Sequence, residues 1–303
     1  MKRRGNERRQ ALWWGLSALI VVSMVFSMVL MVSPAPAPRP TPTWLMPTAT
    51  PQPTSTPTVT PSPTPTPTLT PTPLPTAAVL SRDTDFSFVV AGDSRDGDAT
   101  FKQIIRQASS GPYAFMLHTG DLVHSGAEAE YKALKAMLAD LKVPLYAVPG
   151  NHDSLDGSLD LYLQYVGAPA ASYSFDYGQA HFALVDSHTG QVSAEQLAWL
   201  DADLAATRQP LKIVAVHHPP FDPNGSTHIM TGGNQAFMDL MERRGVRYVF
   251  AGHIHEYGRE ERNGVTYVVT GGGGAPLNPG QYYHYLKVQV RGQAVTWEVV
   301  RVR

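Results

Sequence analysis

Phe86-Ser87-Phe88-Val89-Val90-Ala91-Gly92-Asp93-Ser94-Arg95 decides the reading of this chain. A strand-like, mostly apolar run breaks at a glycine into a polar cluster led by a carboxylate. The pattern recurs four times further along. Tyr113 to Leu117 leads to Gly120-Asp121, and Leu145 to Val148 leads to Gly150-Asn151-His152-Asp153. Ile213 to Val216 leads to His217-His218-Pro219, and Tyr248 to Ala251 leads to Gly252-His253-Ile254-His255. In an α/β sheet the carboxyl ends of the strands share one edge, so clusters distant in sequence meet there.

Between these runs the sequence predicts helices over Ala99 to Ser109, Ala127 to Leu141, Leu159 to Val166, Ala194 to Thr207 and Gln235 to Arg244. The second carries Tyr131, Leu134, Leu138 and Leu141 at three- and four-residue spacing, which gives one inward face. Ser193, with Glu195 and Gln196 behind it, reads as a helix cap. Further strands are expected at Tyr173 to Tyr177, His181 to Asp186, Tyr267 to Thr270, Tyr282 to Val290 and Ala294 to Val300. Asn263-Gly264 reads as a hairpin turn. Alternation in the middle and a β-rich tail point to an α/β (α+β) architecture of two packed sheets flanked by helices.

The 303 residues divide by composition. Residues 1–10 form a basic tip with Lys2, Arg3, Arg4, Arg8 and Arg9 against Glu7. Residues 11–32 carry no charge; 22 residues at about 1.5 Å each span roughly the hydrocarbon thickness of a bilayer. They are expected to be a single membrane anchor, with the basic tip in the cytoplasm and the remainder on the other side. A cleaved signal peptide, which would release a secreted protein, has a shorter apolar region of about 7 to 15 residues. Residues 33–82 form a linker; within 34–76 stand 16 prolines and 14 threonines. Proline removes donors and fixes φ, so this segment reads as a spacer and not as a core.

Residues 83–303 are the expected globular domain. Beyond Arg39 there are 18 basic and 24 acidic residues, a net of −6, which is a poor surface for unaided nucleic-acid binding. The chain has no cysteine, so disulfides and thiolate metal sites are excluded. What the clusters offer instead is oxygen and imidazole nitrogen. Asp93, Asp121, Asn151, His217, His253 and His255 are the candidate ligands, a set that suits two divalent ions of Mn, Fe or Zn. The glycines at 92, 120, 150 and 252 read as points where the backbone turns sharply off each strand.

Taken in order, Asp, Gly-Asp, Gly-Asn-His-Asp, His and Gly-His-x-His resemble the calcineurin-like metallophosphoesterases over roughly Phe86 to Thr270. The resemblance does not separate the purple acid phosphatase-like branch from the cyclic nucleotide phosphodiesterase-like branch. It implies a two-sheet β-sandwich between helices, and hydrolysis of phosphate mono- or diesters by a metal-bridging hydroxide. It also implies that Asp121 bridges the ions, that Asp93 and His255 serve one, and that Asn151, His217 and His253 serve the other. His152 would contact the phosphate or protonate the leaving group. Read from its own position and not from the resemblance, His218 either lines the substrate position or packs.

Two positions depart from the family pattern. Arg95 stands where many members place a ligand histidine, and a guanidinium has no lone pair for a metal. The first ion would then keep Asp93, Asp121 and His255 with water completing it, or take Asp96 or Asp98 as a substitute, while Arg95 would instead grip the substrate phosphate. His124 stands where many relatives place an acid that orients the catalytic histidine, which leaves Asp153 as the nearest replacement. A rival of a different class follows from Arg95: a non-catalytic binding or sensor module with a degenerate first site. His118, His181, His188 and His284 read as structural, His228 as part of a loop that is either a substrate rim or solvated, and Gly271 to Gly274 as a tight turn. Tyr282, Tyr283 and Tyr285 read as sheet packing.

Overall fold

A computed structural model describes residues 85–303. The expected tip, anchor and linker all lie outside the described residues; among those described, no helix is long and apolar enough to cross a membrane. Two sheets face each other. The first has strand order β11-β10-β1-β2-β3, from β1 (Phe86–Ala91), β2 (Met116–His118), β3 (Leu145–Ala147), β10 (His284–Arg291) and β11 (Ala294–Arg301). The second runs β4-β5-β6-β7-β9-β8, from β4 (Tyr173–Tyr177), β5 (Ala180–Val185), β6 (Leu211–Val216), β7 (Tyr248–Ala251), β8 (Tyr257–Arg262) and β9 (Val265–Thr270). β1, β2 and β3 are parallel, as are β5, β6, β7 and β9, so their carboxyl ends lie along common edges. The two-sheet architecture is the expected one.

Alternation builds the sandwich. Phe86, Phe88 and Val90 of β1 point inward with Phe115 and Leu117, and meet Phe182, Leu184, Ile213 and Phe250 of the other sheet. Phe115 stacks on Phe88 at 4.9 Å and meets Phe182 edge-on at 5.3 Å, the geometries that aromatic quadrupoles favour. The intervening residues face the helices. Val89 and Ala91 pack under α1 (Asp98–Ser110), α2 (Glu128–Leu138) and α3 (Asp160–Val166) through Phe101, Ile104, Tyr131 and Tyr162. On the second sheet Val214, Val216 and Val249 pack under α4 (Ala194–Ala206) and α5 (Asn234–Arg243) through Leu200, Leu204, Phe237 and Met241.

Local signals behave as the chemistry requires. Ser193 Oγ accepts from Gln196 N while Gln196 Oε1 accepts from Ser193 N, a reciprocal cap that starts α4. Asn263 (φ 51°) and Gly264 (φ 78°) both sit left-handed between β8 and β9, as a tight hairpin demands. β8 is the strand that this hairpin requires before Asn263, for which the sequence reading set no bounds.

Candidate metal centre

All five polar clusters meet at one edge. Asp93 follows β1, Asp121 follows β2, Asn151 and His152 open a short 3₁₀ turn after β3, His217 follows β6, and His253 and His255 follow β7. The left-handed turn falls on the ligands themselves: Asp93 (φ 58°), Asp121 (φ 58°) and His253 (φ 66°). A non-glycine residue held there costs roughly 1 to 3 kcal/mol, strain that clusters at functional sites. This corrects the role expected of the glycines. Of the four, only Gly120 (φ 96°) takes the left-handed turn. Gly150 has an ordinary φ of −98°, and what it supplies is room: a Cβ there would stand 2.1 Å from Asp121 Oδ1.

Two donor groups result. Asp93, Asp121 and His255 form one, with His255 Nε2 3.4 Å from Asp93 Oδ1. His217, His218 and His253 form the other. In the second, His217 Nε2 lies 3.2 Å from Asn151 Oδ1, 3.3 Å from Asp121 Oδ1 and 3.3 Å from His253 Nδ1. His217 Nδ1–H donates to the Thr119 carbonyl at 2.8 Å, so Nε2 presents a lone pair; His255 Nδ1–H donates likewise to the Pro276 carbonyl at 2.6 Å. Fixing the far nitrogen on a backbone oxygen is how ligand histidines are oriented. Burial and then the neighbouring His218 hold His217 well below the usual imidazole range, and burial and then His217 lower His253 to about 2. Donor atoms of Asp121, Asn151 and His253 therefore converge on the Nε2 lone pair of His217. Oxygen and imidazole nitrogen without sulfur is a donor set that fits a divalent metal of the Mn, Fe or Zn type.

The first group is acidic, with Asp93 and Asp121 buried and His255 partly exposed. Burial pushes Asp93 up to about 6, against the pull of His255, and Asp121 adds to the rise. Neither Asp96 nor Asp98 joins it. Arg95 Nε donates to Asp121 Oδ2 at 3.3 Å and Nη1 to Asp96 Oδ2 at 2.7 Å, so the guanidinium stands beside the carboxylate nearest both donor groups.

Asp153 does not orient His152. Its two oxygens accept four backbone N–H groups, from Asp121 (2.9 Å), Leu122 (2.8 Å), Val123 (3.1 Å) and Gly150 (2.8 Å). Burial and the Asp121 charge push Asp153 up, and the amide donors pull it down. It ties the loop after β2 to the loop after β3, and its charge has no contact with His152. His152 Nδ1–H instead donates to the His124 carbonyl at 2.5 Å, and His124 Nδ1 pairs with Asp96 at 2.9 Å. A main-chain carbonyl carries no sequence signal, which is why this orienting group was not legible.

The remaining histidines divide as follows. His218, expected on the substrate side, stacks on His253 at 4.0 Å and lies within the second donor group. His118 is buried, accepts from Gly120 N and meets Ser94 Oγ at 3.1 Å, joining the loops after β1 and β2. His228 lies 6.4 Å from the His253 ring at the rim. His181, His188 and His284 are held in structural hydrogen bonds away from the donor groups.

The sequence profile described as calcineurin-like phosphoesterase matches residues 86–257. Over 164 residues the chain is 31% identical to a 3′,5′-cyclic-nucleotide phosphodiesterase of a Nostoc species, covering 50% of this chain and 60% of the relative. Over 153 residues it is 28% identical to the 3′,5′-cyclic adenosine monophosphate phosphodiesterase CpdA of Escherichia coli, covering 48% of this chain and 55% of the relative. The chain thus spans little more than half the length of these relatives. Among solved structures, its fold is similar to a purple acid phosphatase from yellow lupin seeds, with a TM-score of 0.60, 20% identity and coverage of 73% of this chain and 52% of the other.

Proposed function

The chain belongs to the calcineurin-like phosphoesterase family, and on that premise we propose that it is a metal-dependent phosphoesterase. The observation that carries the reading is the convergence of the Asp121, Asn151, His217 and His253 donor atoms, each within 3.3 Å of His217 Nε2 or belonging to it. Asp93, Asp121 and His255 would hold one divalent ion, and Asn151, His217 and His253 the other, with Asp121 shared. Such ions, when bound, supply positive charge for the phosphoryl oxygens and acidify a water.

The chain's own groups do the rest. Arg95, aimed at Asp121 Oδ2, would donate to a phosphoryl oxygen lying over the same carboxylate. His152 is fixed by its Nδ1–H bond to the His124 carbonyl, so Nε2 is the nitrogen left for the substrate, and in the imidazolium form it would give its proton to the leaving oxygen. His218 and His228 line the approach beside His253. The first donor group keeps Asp93, Asp121 and His255 despite Arg95, so the non-catalytic module is not carried forward. The names of the relatives make 3′,5′-cyclic nucleotides and other phosphodiesters the first substrates to try. We also propose that residues 11–32 anchor the chain and that residues 33–82 hold the domain outside the cytoplasm; 22 consecutive uncharged residues behind a basic tip support this.

The test is hydrolysis of bis(p-nitrophenyl) phosphate and of 3′,5′-cyclic AMP by metal-stripped protein, then with Mn, Fe or Zn restored. Activity should return with metal and vanish, together with bound metal, in His217→Ala. Hydrolysis that ignores chelators, or a His217→Ala protein with full metal and full rate, would refute the assignment.

A further inference from the structure

Asp96 is absent from both donor groups yet is central to the polar network beside them. One of its oxygens, Oδ2, accepts from Arg95 Nη1 at 2.7 Å and pairs with His124 Nδ1 at 2.9 Å. The same Arg95 reaches Asp121 Oδ2, and the same His124 receives His152 Nδ1–H on its carbonyl. Asp96 therefore couples the two side chains assigned to the phosphate, Arg95 and His152. Its backbone is held left-handed at φ 62°. The cleft alongside, about 210 Å³, is lined by Arg95, Asp96, Asp98, His124 and Glu130, three acids to one guanidinium. Burial raises it, but His124 and Arg95 together outweigh that and hold the Asp96 carboxyl below the usual range, so it is charged at neutral pH.

The consequence is electrostatic. A guanidinium free of carboxylates attracts a phosphate dianion more than a monoanion. Arg95 stands between two carboxylates, and their charge cancels much of that bias at a few ångströms. We propose that Asp96 is a specificity-determining residue that offsets the Arg95 charge, so that the site favours singly charged phosphodiesters over dianionic monoesters. The proposal rests on the phosphoesterase reading above and names the substrate charge class that the site prefers.

The experiment uses the full chain loaded with Zn²⁺, wild type and Asp96→Asn. Asparagine keeps the shape, keeps one acceptor and tolerates the left-handed backbone; Asp96→Gly, free of strain at that φ, replaces it if the asparagine variant fails to fold. The readout is the ratio of kcat/KM for p-nitrophenyl phosphate to that for bis(p-nitrophenyl) phosphate, at about pH 8 where the monoester is a dianion. Removing the charge should move the ratio toward the monoester by about fivefold at low salt, less at high salt, with metal content unchanged. A purely structural role would slow both substrates alike and leave the ratio alone, which overturns the proposal. Isothermal titration with inorganic phosphate and with diethyl phosphate gives a second reading that needs no turnover. A shift toward inorganic phosphate in a protein that hydrolyses neither ester would sustain the charge-setting role while the catalytic reading falls. No shift in binding, or no binding of either anion, overturns it.

Discussion

Replacing Asp153 with alanine tests whether the carboxylate after His152 is a structural tie or part of the chemistry. Four N–H groups, on Asp121, Leu122, Val123 and Gly150, would lose their acceptor at once. A buried donor left unsatisfied costs about 1 to 3 kcal/mol. Taking the lower figure for each gives about 4 kcal/mol, and removing a buried carboxylate beside Asp121 returns about 1 kcal/mol. The expected net loss is therefore about 3 kcal/mol, a large part of the stability of an ordinary domain. Urea unfolding followed by circular dichroism should show a lower midpoint with an unchanged slope. Metal content should fall as well, because Asp121 and Asn151 stand on the loops that Asp153 joins. Asp153→Asn should rescue little, since its amide NH₂ would face two of the same donors. A protein that loses less than about 1 kcal/mol and keeps its metal, yet loses turnover, would refute this and return Asp153 to the role of orienting His152.

Three further outcomes follow from the same geometry. Gly150→Ala places a methyl 2.1 Å from Asp121 Oδ1 and 2.5 Å from Asp121 N, so metal content should drop with little change in backbone strain; a fully loaded Gly150→Ala protein would contradict the packing. Arg95→Ala should raise KM for phosphate esters about tenfold with metal content intact, and loss of metal instead would make Arg95 a structural support. His181, buried between Asp203 and Asp176, has its ionisation raised by them against the pull of burial. Its contribution to stability is full below the unfolded value of 6.5 and is lost as pH rises through the higher folded value. His181→Gln should flatten that part of the stability curve, and an unchanged slope would count against it.

Much of this fold is legible because two periodicities are clean. β1 and β7 occupy the stretches that alternation marks, and the helices fall within a few residues of their apolar faces. The bounds of β8 escape because Tyr257–Arg262 carries glycine and four charged residues; it is an edge strand that exposes its charge, and burial imposes no alternation on it. The six candidate ligands come together because each is tied to a strand end, which topology alone brings to one edge. The orienting groups do not show in sequence. Thr119, Pro276 and His124 act through main-chain carbonyls that any residue would supply. Asp153 misleads for a related reason: adjacency to His152 suggested a partnership, while its carboxylate faces the backbone of another loop.

The most direct measurement is a crystal structure of the metal-loaded chain with anomalous scattering collected at the metal edge. Two peaks about 3.5 to 4 Å apart are expected, each about 2.0 to 2.3 Å from its ligands. One should lie among Asp93, Asp121 and His255, and the other among Asp121, Asn151, His217 and His253. Peaks elsewhere, or a fully ordered edge that takes up no ion at saturating metal, would contradict the account.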